Sequence, residues 1–153
     1  MSIKKYYFLS ILLVLIDQLT KLLTYNYIKL QDSIVISDFF SITHVHNYGA
    51  AFSFLANEGG WQQYFLSSIS IIASIAIIIW MAKTHLDDKI KLNALALILA
   101  GAVGNLIDRL TFGFVIDFID FHYHGFYWPV FNVADILIVL GVMLLIIFDR
   151  KSI

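Results

Sequence analysis

The chain has 153 residues, of which 60% are hydrophobic and only 14% charged, with 10 Lys and Arg set against 11 Asp and Glu. The length suits one domain, 1–153, and the composition lies so far from the globular average that lipid is the expected solvent. The balanced charge argues against a nucleic-acid or polyanion binder, and the lack of cysteine excludes disulfides, thiolate catalysis and cysteine-held metal.

Four apolar runs, about 6–28, 62–82, 92–110 and 131–148, approach the roughly 20 residues that a spanning helix needs. The expected fold is an all-α membrane protein: four transmembrane helices with a small outer-face β-sheet, about 32–56, and interfacial loops. The first run follows Lys4 and Lys5 as a signal peptide would, yet it is too long for such a segment and carries Asp17 and Lys21, so it reads as a retained helix. Lys4 and Lys5, then Lys83, Lys89 and Lys91, then Arg150 and Lys151 mark the cytoplasmic ends. Both termini are therefore expected inside, with the connections 29–61 and 111–130 outside.

In the first helix Asp17 and Lys21 stand at i and i+4, on one face and within pairing reach. Intramembrane ionisable residues point to a functional site, with a structural ion pair as the alternative. The stretch 32–53 is rich in β-branched and aromatic residues with partial alternation, which predicts short strands at the outer interface. Asn47, Tyr48 and Gly49 read as a turn. His44 and His46 share a strand face, and His122 and His124 repeat the spacing. The signature of helical zinc proteases is absent, and these rings are expected at the interface with an apolar body and a polar tip. Asn57 to Gly60 signal a loop before a second helix whose aliphatic length reads as lipid-facing scaffold, and His85, Asp87 and Asp88 suit a solvated connection.

The third helix ends with Ala100, Gly101, Ala102 and Gly104, small enough for another helix to come close, followed by Asn105, Asp108 and Arg109 on one side. Asp108 is expected to be charge-compensated by Arg109, which suits a structural or substrate-positioning role. In GFVIDFIDF, apolar neighbours desolvate Asp117 and Asp120 and favour the neutral form, and in an extended segment only one of the two can face the site. Asn132 and Asp135 lie three apart in the first turn of the fourth helix, where the helix N-terminus favours a negative charge. If Asp117 meets Asp135, the pair can share a proton as an aspartic protease requires. Solvated carboxylates at helix ends are the alternative for either residue alone.

Four blocks in order carry a resemblance: Asp17-Gln18-Leu19-Thr20-Lys21; Asn47-Tyr48-Gly49-Ala50-Ala51-Phe52; Gly101-Ala102-Val103-Gly104-Asn105 with Asp108-Arg109 and Val115-Ile116-Asp117-Phe118; and Pro129-Val130-Phe131-Asn132-Val133-Ala134-Asp135. Together they resemble the lipoprotein signal peptidases, or signal peptidase II, over nearly the full chain. Ala100 stands where a second glycine is common in that family, and Trp128 where Phe is common. The resemblance implies that Asp117 and Asp135 are a catalytic dyad, and that Asp17, Lys21, Asn47, Asn105, Asp108, Arg109 and Asn132 shape or line the substrate site. It implies a bacterial cytoplasmic-membrane enzyme with its site toward the outer face. The substrate would be a diacylglyceryl-modified prolipoprotein, cut on the N-terminal side of the lipidated cysteine. No cofactor, metal or nucleic acid is expected, only substrate and membrane lipid, and the chain is expected to act as a monomer.

Two other readings compete with this one. A serine intramembrane protease would use Ser53, which no nucleophile motif surrounds. A small cation or metal transporter would use the outer histidines and buried aspartates, and would spread its charges through the bilayer depth.

Overall fold

A computed structural model describes residues 2–49 and 59–148. Ala50 to Phe52 of the second motif block, the candidate nucleophile Ser53, the Asn57-Glu58 loop signal and the basic pair Arg150 and Lys151 lie outside the described residues. The elements run α1 (Lys4–Tyr27), β1 (Ser33–Ser37), β2 (Phe40–Asn47), α2 (Trp61–Lys83), α3 (Lys89–Phe112), β3 (Val115–Tyr123), β4 (Phe126–Tyr127) and α4 (Val133–Phe148). The helices α1, α2 and α3 are long and apolar enough to cross a membrane; α4 is apolar over its 16 residues but shorter.

α3 is the hub, packed against α1, α2 and α4. Its residues make that possible. A Cβ at Gly101 would strike the carbonyl of Ala134, and one at Gly104 would lie 2.5 Å from Oδ2 of Asp17. These small positions bring α4 and α1 to backbone distance, as expected for membrane helices. Gly141 on α4 answers them, seated against Ala94 and Ile98. Asp88 caps α3 by accepting from the Lys91 backbone N–H at 3.2 Å, so it has a local structural task beyond simple solvation. At the other end Gly113 takes the left-handed conformation that closes the helix.

The sheet is larger than the sequence predicts. Its order is β1-β2-β3-β4 with antiparallel neighbours, so half its strands come from the connection that precedes α4. The register pairs Val45 with Asp117 and Asn47 with Val115, so Asn47 and Asp117 are diagonal neighbours on one face. Past the sheet, Phe131 forms an isolated bridge with Ile119, N–H to carbonyl at 3.1 and 2.8 Å. That bridge delays the fourth helix to Val133, two residues later than its apolar run begins.

The apolar core gathers at one end of the bundle, where Tyr6, Ile77, Met81, Leu92, Leu95, Ala96 and Leu99 pack together. Many other aliphatic side chains on α1, α2 and α4 are exposed in the isolated chain, among them Leu15, Ile72 and Ile146, as expected of surfaces that meet lipid.

Candidate active site

The α4 N-terminus is built as a reciprocal cap. The backbone N–H of Asp135 donates to Oδ1 of Asn132 at 3.0 Å, and the backbone N–H of Asn132 donates to Oδ2 of Asp135 at 3.2 Å. This is the capping box, with Asn and Asp in the roles usually taken by Ser/Thr and Glu. It leaves Oδ1 of Asp135 to accept from the Asn105 side-chain amide at 2.9 Å.

Asn132 reaches the other aspartate as well. Its Nδ2 donates to Oδ1 of Asp117 at 2.6 Å, while the amide of Asn47 donates to Oδ2 at 3.0 Å. One buried asparagine thus touches both carboxylates, and the two converge as the sequence required but could not demonstrate. Asp117 is 2% exposed. Burial first, then the neighbouring Asp135 charge, pushes its carboxyl from the ordinary 3.8 up to about 7, against the opposing hydrogen bonds from Asn47 and Asn132.

Behind the pair lies a second layer of charge. Lys21 places its ammonium 2.9 Å from Oδ2 of Asp17, 3.0 Å from Oδ2 of Asp108 and 2.9 Å from Oδ1 of Asn105. Oδ1 of Asp17 accepts the backbone N–H of Ala134 at 2.8 Å, and Oδ2 of Asp108 accepts that of Ile116 at 3.1 Å. Gln18 donates to Oδ1 of Asp108 at 2.9 Å, to the Gly104 carbonyl at 3.1 Å and to Oδ2 of Asp17 at 3.2 Å. Sequence reasoning gave Gln18 no role; its signal was its place beside Asp17 on an apolar helix.

The direct ion pair of Asp108 is with Lys21, while Arg109, pointing about 100° away on the helix, acts on Asp108 only through its charge, as it does on Asp117 and Asp135. Arg109 instead donates to the Gly49 carbonyl at 3.3 Å, holding the turn in which Gly49 N–H donates to Asn47 Oδ1 at 2.9 Å. Asp120 faces away, as alternation requires, and accepts from Thr43 at 2.7 Å.

The histidines divide. His44 is buried within the protein: its Nδ1 donates to the Ile28 carbonyl at 2.8 Å, so its Nε2 accepts from His46 at 3.1 Å. Burial, with His44 beside it, lowers the His46 pKa, and the ring stacks on Phe114 at 3.6 Å. Among the described residues, no three His, Asp or Glu side chains gather in a metal-holding cluster.

All nine residues singled out in the sequence therefore fall in one connected region. It combines four carboxylates, Asp17, Asp108, Asp117 and Asp135, with two cations, Lys21 and Arg109. That excess of negative charge favours retention of a proton, and Asp117 is the buried carboxyl poised to hold it.

The chain is similar to known proteins along nearly its whole length. The family model for Signal peptidase (SPase) II matches residues 9–149. A lipoprotein signal peptidase of Alteromonas mediterranea is 44% identical, covering 97% of this chain and 84% of that protein. One of Francisella tularensis subsp. novicida is 46% identical, covering 97% and 94%. A solved bacterial membrane enzyme, determined by the in meso method at 2.3 Å resolution, superposes with a TM-score of 0.87 at 35% identity, covering 97% of this chain and 89% of that one. A second, at 1.9 Å resolution, gives 0.84 at the same identity, covering 98% and 95%.

Proposed function

The chain belongs to the signal peptidase II family of proteases, and from that premise we propose that it is a membrane-embedded aspartic endopeptidase whose catalytic dyad is Asp117 and Asp135. It removes the signal peptide from diacylglyceryl-modified bacterial prolipoproteins, cutting on the N-terminal side of the lipidated cysteine. The observation that carries the reading is Asn132, which donates to Asp117 through its side chain and to Asp135 through its backbone.

The chemistry follows from the pair's unequal surroundings. Asp117, held near pH 7, carries the shared proton; Asp135 takes a proton from the attacking water. As water adds to the scissile carbonyl, Asp117 protonates the developing oxyanion. When the tetrahedral centre collapses, Asp135 passes the proton taken from water to the leaving amine while Asp117 takes back a hydroxyl proton from the diol as the carbonyl re-forms, and the pair returns to one proton. Asn47 and Arg109, at the turn beside Asp117, flank the space where substrate would lie.

Four crossings, with both termini cytoplasmic and the dyad toward the outer face of the bacterial inner membrane, complete the proposal. The basic residues Lys4, Lys5, Lys83, Lys89 and Lys91 support this topology. A lipid-anchored precursor would then offer its cleavage site at the membrane surface, where β3 and the start of α4 hold the dyad. The proposal takes the chain to act as a monomer on its prolipoprotein substrates.

The test is cleavage of a diacylated precursor by purified enzyme. Asp117→Asn and Asp135→Asn should each lower turnover by at least about 10³-fold. Wild-type release of the signal peptide by either variant would end the assignment.

A further inference from the structure

The two structural carboxylates grip the backbone at matching places. Asp108 accepts the N–H of Ile116, the residue before Asp117; Asp17 accepts the N–H of Ala134, the residue before Asp135. Lys21 lies between them, paired to both at 3.0 and 2.9 Å. One ammonium thereby connects the backbone that presents one dyad aspartate to the backbone that presents the other, across α3, α1 and α4.

We infer that Lys21, with Asp17 and Asp108, is a spacer that sets the distance and aim of the dyad, and that it makes no contact with substrate. The inference rests on the dyad reading above. An ammonium has three N–H donors, and all three are engaged, with Asp17, Asp108 and Oδ1 of Asn105. The side chain is 1% exposed, so neither a donor nor an open face remains for a ligand. The third bond has its own consequence. With its oxygen turned to Lys21, the Asn105 amide must present nitrogen to Asp135, where it donates at 2.9 Å. Gln18 reinforces the bridge by donating to both carboxylates, and Gly104 provides the room that Asp17 occupies.

A spacer and a substrate ligand differ in kinetics. Loss of a contact made equally in ground and transition states raises KM, whereas misplacing the reacting groups lowers kcat. Lys21→Gln should lower kcat by about a hundredfold, as expected for displacement of catalytic groups by roughly 1 Å, with KM within about twofold of wild type. Lys21→Arg keeps the charge at a different reach. It should fold, melt near the wild-type temperature in micelles and still lose kcat without a change in KM, which keeps the inference testable if the glutamine variant does not fold. The pH at which activity falls should also move in the arginine variant, since the separation of the two carboxylates sets their coupling. An increase in KM at constant kcat, or wild-type kinetics in Lys21→Arg, would overturn the spacer. Wild-type turnover in Asp117→Asn would instead overturn the dyad itself, so the two failures are separable.

Discussion

The two ends of the α1–α3 helix pair are held together by different physics. Near the start of α1, Tyr6 packs with Met81, Leu92, Leu95 and Leu99, and the polar bond that joins α1 to α3 there is that of Ser10 to the Ala96 carbonyl at 3.0 Å. Some turns farther along, the same helices meet through Asp17, Gln18, Lys21, Gly104, Asn105 and Asp108. Contacts at the first end are numerous, weak and without direction, so loss of one lowers stability by degrees. At the second end each group has a specified partner, and removing one strands another in a buried place. Substitution at the apolar end should therefore lower stability while the folded molecules keep their turnover, whereas substitution at the polar end should lower turnover as well as stability.

Substitutions outside the dyad can break this division, and the largest effect among them should come from Asn132. Asn132→Ala removes a donor from Asp117 and the side-chain acceptor that caps α4, and should reduce kcat by about 10²–10³-fold, measured on the lipidated precursor. Leu95→Ala, at the other end, should cost about 2–5 kcal/mol of stability, read as a lower unfolding midpoint in micelles, while the folded fraction keeps its kcat. Gly104→Ala should fall between the two classes. Its new methyl group meets a carboxylate oxygen, so it should lower kcat by about tenfold or more with a smaller loss of stability. If Leu95→Ala instead altered turnover, the two ends would be coupled and the division would fail.

Dependence on pH sharpens the same contrast. The Asp117 carboxyl is raised, so the folded state binds its proton more tightly than the unfolded chain does. Its contribution to stability is complete below the ordinary 3.8 and is lost as pH rises through about 7. On the proposed mechanism turnover needs one proton on the pair, and it should fall over the upper part of that window. The smallest effect belongs to Asn47→Ala. It deletes a hydrogen bond that favours the ionised carboxylate, so the fall in activity should move upward by less than about one pH unit.

Local spacing made much of this site readable in the sequence. Asp17 and Lys21 at i and i+4 had to share a face, and Asn132 and Asp135 at i and i+3 had to meet in the first turn of a helix. Period-two alternation turned Asp120 away from Asp117 once the segment was extended. What local spacing cannot carry is partner choice over distance. Asp108 had an arginine beside it in the chain, yet its ion pair is with a lysine on another helix. Asp117 and Asp135 converge because Phe131 bridges Ile119, a long-range pairing with no signature of its own. His44 is likewise drawn inside because the Ile28 carbonyl at the end of α1 needs a donor, a need visible only in three dimensions.

The reciprocal cap at the start of α4 has a consequence for how the molecule comes into being. Synthesis runs from the N-terminus, so α1, α3 and β3 exist, and Asp117 with them, before Asp135 has been made. Until residue 135 is made the chain lacks the second carboxylate, which is oriented only when α4 coils and its Ala134 N–H donates to the Asp17 carboxylate. On the proposed dyad, proteolytic competence therefore waits for α4, and a chain that has not yet placed it cannot cleave.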